Sequence, residues 1–200
     1  MTTQPVMGKA RLEAFSDGVF AIIITIMVLE LRVPHVATLE GLAPLAPVFL
    51  SYVLSYVYIG IYWTNHHHML HTVKTVTGPM LWANLYLLFW LSLIPFVTGW
   101  MGENHFAAMT TALYGLVMLM NAMAYWVLQS RIIASQGRDS VLKGAIGRAW
   151  KEKISPMLYV TSIAAAFWLP WISQAIFVLV ALIWLVPDRR IEKALAGSET

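Results

Sequence analysis

The chain contains no cysteine. Disulfides and cysteine-ligated metal sites are therefore excluded, and the redox compartment stays open. Charge is also scarce: 13 Lys and Arg and 10 Asp and Glu make up 12% of the 200 residues. The chain has no phosphate-binding loop with its lysine, no dinucleotide fingerprint, no His-Glu-x-x-His pair and no Gly-x-Ser-x-Gly elbow. An enzyme is the least supported class on these grounds, and no cofactor is expected. The fragment Thr75-Val76-Thr77-Gly78 lacks the tyrosine and second glycine of a potassium-channel filter loop, so no re-entrant pore loop is expected.

Apolar residues are plentiful. Hydrophobic side chains make up 59% of the chain, more than a soluble domain of this length can hide. The chain reads as an integral membrane protein, with nine Trp and eight Tyr suited to interfacial belts. A span needs about 20 mostly apolar residues. Six candidates result, over about 12–32, 45–70, 79–100, 105–130, 155–170 and 172–187. The last two are short and are joined by a tight turn at Leu169-Pro170-Trp171. No short apolar leader with a small-residue cleavage site opens the sequence, so the first span is expected to be retained. The fold class is thus all-α and polytopic, with one domain over 1–200.

The positive-inside rule orients the spans. With the N-terminus inside, every Lys and Arg except Arg32 falls in a cytoplasmic segment. Both termini are expected in the cytoplasm and the protein in the cell (inner) membrane. The net charge of +3 then reflects anionic lipid rather than nucleic acid as a partner. The segment Ser140–Lys153 reads either as an amphipathic piece along the inner leaflet or as a solvated connector. The tail 188–200 is polar and expected to fray.

The first span is the unusual one. Its opening turns carry Arg11, Glu13, Ser16 and Asp17, although ionisable groups at membrane depth are costly and normally face protein or water. Phe15, Gly18, Ile22, Thr25 and Leu29 recur at helical spacing and form one stripe. Two readings of it are open. One is ordinary helix packing, with the Thr25 hydroxyl bonded to its own helix. The other is a pore on an oligomer axis, where Ile22 and Leu29 would form hydrophobic constrictions and Thr25 would offer oxygens to an ion.

Arg11 and Asp17 are six residues apart and do not share a face, so each is expected to find a partner on another helix. Trp63, Asn65, His66, His67 and His71 lie at the matching depth of the second span. A structural clamp and a proton-sensing carboxylate–imidazole pair are both compatible with this cluster. His67 and His71 share a face, but no carboxylate neighbours them, and no metal is expected. Asn84 and Asn121 read as glue between helices, and Pro95 as a kink in the third span. Glu30 is either a vestibule acid or a solvated helix end paired with Arg32.

The block Arg11-x-x-x-Phe15-Ser16-Asp17, followed by Gly18-Val19-Phe20-Ala21-Ile22 and Thr25-x-x-Val28-Leu29-Glu30-Leu31, resembles the signature of the prokaryotic transmembrane protein 175 family of potassium-permeable channels. Trp63-x-Asn65-His66-His67 is similar to that family too. The resemblance implies a homotetramer around a central pore lined by the first span. It implies constriction at Ile22 and Leu29, a potassium preference aided by Thr25, and Gly18 and Glu30 along the pore or its vestibule. Arg11, Phe15, Ser16, Asp17, Trp63, Asn65, His66 and His67 would hold the first span in place. The expected function is a weakly selective channel for potassium among monovalent cations, closed by hydrophobic rings. The rival is a proton-conducting or proton-coupled transporter using Asp17 and the histidines of the second span.

Overall fold

A computed structural model describes residues 8–137, 142 and 150–185. The expectations for Ser140–Lys153 and for the tail fall largely or wholly outside these residues. The described residues form helices and turns without a strand. In chain order the helices are α1 (Lys9–Leu29), a 3-10 turn (Leu39–Leu45), α2 (Ala46–His71), α3 (Gly78–Ser92), α4 (Ile94–Glu103), α5 (Ala108–Gln136), α6 (Trp150–Ala166) and α7 (Pro170–Leu185).

Among the described residues, four stretches are long and apolar enough to cross a membrane: α1, the 3-10 turn with α2, α3 with α4, and α5. The helices α6 and α7 fall at the fifth and sixth expected segments but have only 17 and 16 residues. At 1.5 Å per residue they reach about 25 Å, less than the ~30 Å hydrocarbon core.

Proline sets several helix starts. Pro47, Pro79, Pro95 and Pro170 all stand in the first two positions of their helices, where a missing N–H costs nothing. Pro95 also divides the third span. Having no N–H, it cannot donate to the carbonyl four residues back, and the helix breaks at Leu93. The chain then resumes as α4 in the same apolar stretch.

The bundle is built around α5, which packs against α3, α4, α6 and α7. Of its most apolar stretch 56% is buried, against 28% for α1, so α1 sits at the edge. There α1 packs on α2, α3 and α4. Leu12, Ser16, Phe20, Ile23 and Met27 make its buried face.

Hydroxyls fill the middle of the bundle. Ser55 bonds both Thr98 (2.7 Å) and Tyr114 (3.1 Å), and Tyr58 donates to the Phe177 carbonyl at 2.6 Å. Ser173 donates to the Ser162 carbonyl across the α6–α7 hairpin. In hydrocarbon such bonds satisfy groups that would otherwise be stranded.

A close backbone approach joins α2 to α4 at Gly102. A Cβ placed on Gly102 would lie 2.5 Å from Ser51 Oγ and 2.7 Å from Val48 Cα. Backbone atoms cannot step aside, so the cost falls on the helix crossing itself. Gly102→Ala is expected to destabilise the bundle by about 1–3 kcal/mol and to lower the thermal midpoint in detergent by several degrees. Gly60, with nothing within 4 Å of a built Cβ, is the control: Gly60→Ala should leave the midpoint unchanged or raise it.

Candidate functional site: the first helix and its clamp

The two ends of the bundle differ in charge. Lys9, Arg11, Lys74 and Arg131 belong to one end. At the other, Arg32 bonds Glu103 at 2.9 Å. The Arg32–Glu30 pairing, part of one of the two readings of Glu30, is not found. The helix stops at Leu29, and Arg32 reaches the end of α4 instead. The Glu30 carboxylate folds over α4, with Oε2 at 3.5 Å from a Cβ built on Gly99.

At the basic end, three helices meet through side chains. Ser16 on α1, Asn84 on α3 and His66 on α2 lie five to seven residues from the helix ends nearest them. They therefore share a depth of about 8–11 Å along the helices. All three are buried. The Ser16 hydroxyl donates to the Leu12 carbonyl at 2.8 Å, which leaves its lone pairs to accept from Asn84 Nδ2 at 3.0 Å. That turns Asn84 Oδ1 toward His66 Nε2, 2.7 Å away. A carbonyl oxygen can only accept, so His66 carries its hydrogen on Nε2. The Phe20 ring, 5.5 Å from the imidazole, covers this chain of bonds.

A second, exposed contact joins the same helices. Trp63 Nε1 donates to Asp17 Oδ1 at 2.9 Å, so the carboxylate finds its partner on α2. The Trp63 ring lies 6.3 Å from that of His67, which neighbours His71 at 6.2 Å. His67 and His71 are exposed, while His66 turns inward. Asn65 donates to the Ile61 carbonyl within its own helix. Arg11 is exposed and pairs with no side chain among the described residues. Nor do three His, Cys, Asp or Glu side chains among them group to hold a metal ion.

The stripe of α1 opposite the clamp has no partner among the described residues. Phe15 is 51% exposed, Ile22 57% and Leu29 80%, and Gly18 and Thr25 are exposed as well. The exposed Thr25 hydroxyl donates to the Ile22 carbonyl at 2.9 Å, within its own helix. Beside this stripe, Asp17 and Ile24 line a groove of about 750 Å³ whose far wall includes Trp63, Thr64 and His68.

Sequence reasoning ranked Asn84 as generic glue, yet it is the link between the other two clamp residues. Its signal was an amide in an otherwise apolar span.

The fold and the clamp define a multi-pass α-helical membrane protein whose first helix is anchored on one face and bare on the other. The family profile for the endosomal/lysosomal potassium channel TMEM175 matches residues 11–95, which contain the whole clamp. A potassium channel of Chryseobacterium sp. strain P1-3 is 56% identical over 189 residues, covering 94% of this chain and 98% of its own. The chain belongs to the TMEM175 family. The crystal structure of a lysosomal potassium-selective channel TMEM175 homologue from Chamaesiphon minutus aligns with a TM-score of 0.77 at 28% identity, over 90% of this chain and 97% of that one. An endosomal/lysosomal proton channel TMEM175 of Gallus gallus is 35% identical over 101 residues, 44% of this chain and 20% of that protein.

Removing the amide strands Ser16 and the His66 N–H in a dry contact. Asn84→Ala is expected to cost about 1–3 kcal/mol, read as a fall in the thermal midpoint. Trp63→Phe loses an exposed bond only and should shift the midpoint less. Equal shifts would remove the clamp from its leading role.

Proposed function

We propose that the chain is the subunit of a potassium-permeable, weakly selective cation channel, a homotetramer whose α1 helices line a central pore. One observation carries this reading. A stripe with a hydroxyl at mid-span is bare on the helix that its opposite face ties to α2 and α3. The bacterial relative named a potassium channel supports the choice of ion.

In this arrangement Ile22 and Leu29 form hydrophobic rings that close the pore by excluding water. Thr25, one turn between them, turns oxygens toward a partly dehydrated ion. Gly18 widens the path below, and Glu30 draws cations to the outer mouth. Ser16 and Asp17, with Trp63 and His66, keep the helix upright, Asn65 and His67 flank them on α2, and Arg11 and Phe15 on the open face of α1 meet the neighbouring subunit. The domain is one six-span unit over 1–200, with α6 and α7 as the fifth and sixth spans and both termini in the cytoplasm of the cell membrane. No cofactor and no covalent chemistry enter.

The test is a planar bilayer containing purified protein, with potassium on one side and sodium on the other. A current reversing on the potassium side of zero is expected. Ile22→Asn and Leu29→Asn should each raise leak several-fold and bring the reversal potential toward zero. Unchanged currents in both would take α1 out of the pore.

A second reading rests on the Gallus gallus relative, which is named a proton channel, and on Asp17 standing in a wide groove. It expects flux under a pH gradient without potassium, lost in Asp17→Asn. The channel reading expects Asp17→Ala to reduce tetramer yield more than unitary conductance.

A further inference from the structure

A separate cavity of about 320 Å³ lies inside the subunit, between α2, α5, α6 and α7. No residue of α1 lines it. Its walls are rich in rings, among them Tyr62, Tyr125, Trp126, Tyr159 and Trp184. Contacts within the wall hold these rings in place. Trp184 Nε1 donates to Ser155 Oγ at 2.8 Å. The rings of Tyr62 and Tyr125 meet edge-on, with centres 6.2 Å apart.

Three features constrain what can sit there. The first is charge. The charged side chains of the lining are Glu152 and Lys153, neighbours of opposite sign at the start of α6. Glu152 is already held by Gln129, whose Nε2 lies 2.8 Å from its Oε1. The lining has no net charge and singles out neither a cation nor an anion. The second is entry. Met123 and Trp126, 47% and 60% exposed, border the cavity near the middle of α5. An opening at mid-span is reached through hydrocarbon, which uncharged molecules cross far more readily than ions. The third is a pair of donors. The hydroxyls of Tyr62 and Tyr125 line the cavity and make no hydrogen bond among the described residues, although Tyr125 is only 8% exposed. The Ser55, Tyr58 and Tyr114 hydroxyls, by contrast, are all paired. An O–H left unpaired at membrane depth is costly, so both phenols are open to an acceptor.

We propose that this cavity binds an uncharged, ring-bearing carbonyl compound taken from the bilayer. A carbonyl oxygen has two lone pairs, enough for the Tyr62 hydroxyl on α2 and the Tyr125 hydroxyl on α5. The ring of the ligand meets the aromatic wall, where offset and edge-on ring contacts are favourable. Apolar walls with a few convergent polar groups are the usual make-up of a small-molecule site. Two sources share this chemistry, an isoprenoid quinone resident in the membrane and a soluble aryl ketone that partitions into it. The site is independent of ion conduction.

The test uses the full chain in nanodiscs of phosphatidylcholine and benzophenone, an uncharged aryl ketone that inserts into nearby C–H bonds under ultraviolet light. Saturable labelling at one place per subunit is expected, mapped by mass spectrometry of the digest to the residues around Met123 and Trp126. Tyr62→Phe combined with Tyr125→Phe should raise the half-saturating concentration at least tenfold. Diphenylmethane has the same two rings without the carbonyl, and should protect the site at least tenfold less well than its own ketone binds. The anion 4-benzoylbenzoate should label at least tenfold more weakly. Labelling that is scattered and does not saturate, equal labelling of the double variant, equal protection by diphenylmethane or equal labelling by the anion each overturns the proposal. Adding an isoprenoid quinone to the nanodiscs names the source. Protection supports the proposal with the quinone as occupant, and saturable labelling without protection supports it with a soluble ketone. Tyrosine-to-phenylalanine changes keep the ring packing, an unaltered thermal midpoint without ligand verifies that the cavity is intact, and the diphenylmethane arm reads the hydroxyl contacts without any variant.

Discussion

A directed chain of hydrogen bonds from His66 through Asn84 to Ser16 fixes the rotation of α1 about its axis. In a membrane the hydrophobic effect gives little preference for one helix face over another, because lipid tails are as apolar as leucine. An apolar helix such as α1 could turn freely on that account alone. The buried amide removes this freedom. It gives one rotation satisfied polar groups and every other rotation stranded ones. The exposed stripe of Phe15, Ile22, Thr25 and Leu29 is therefore held outward by contacts made on the opposite side of the helix.

The clamp also has polarity. Ser16 spends its hydrogen on Leu12, which orients Asn84, which sets the tautomer of His66. Its neighbour His67 stays outside beside Trp63. Adjacent residues in one short run thus serve different faces of α2: one is locked inside the bundle, the other is exposed beside Trp63.

The helices were legible in the sequence because hydropathy over about 20 residues marks a span almost regardless of context. Pro95 announced the break in the third span for an equally local reason. The helix α1 was legible as a site because its charges contradict its apolar surroundings. Trp63 stood within the cluster named as facing Asp17. The role of Asn84 was not legible. A single amide in a span reads the same whether it meets a neighbouring helix or its own backbone, as Asn65 does at the Ile61 carbonyl. Which applies depends on the register between non-consecutive helices, and no local pattern encodes that. The partner of Arg32 was not legible for the same reason. Glu30 is near in sequence, whereas Glu103 is near only once the outer ends of the bundle are brought together.

The break at Leu93 makes the third span a jointed strut. Its lower limb, α3, grips the lower half of α1 through Asn84, and its upper limb, α4, bears on the upper end where Glu30 crosses Gly99. The joint lacks the backbone bond that Pro95 cannot make, so it is the softest point of the strut. The two limbs thus separate the anchorage of the helix at Ser16 from the support of its far end at Glu30.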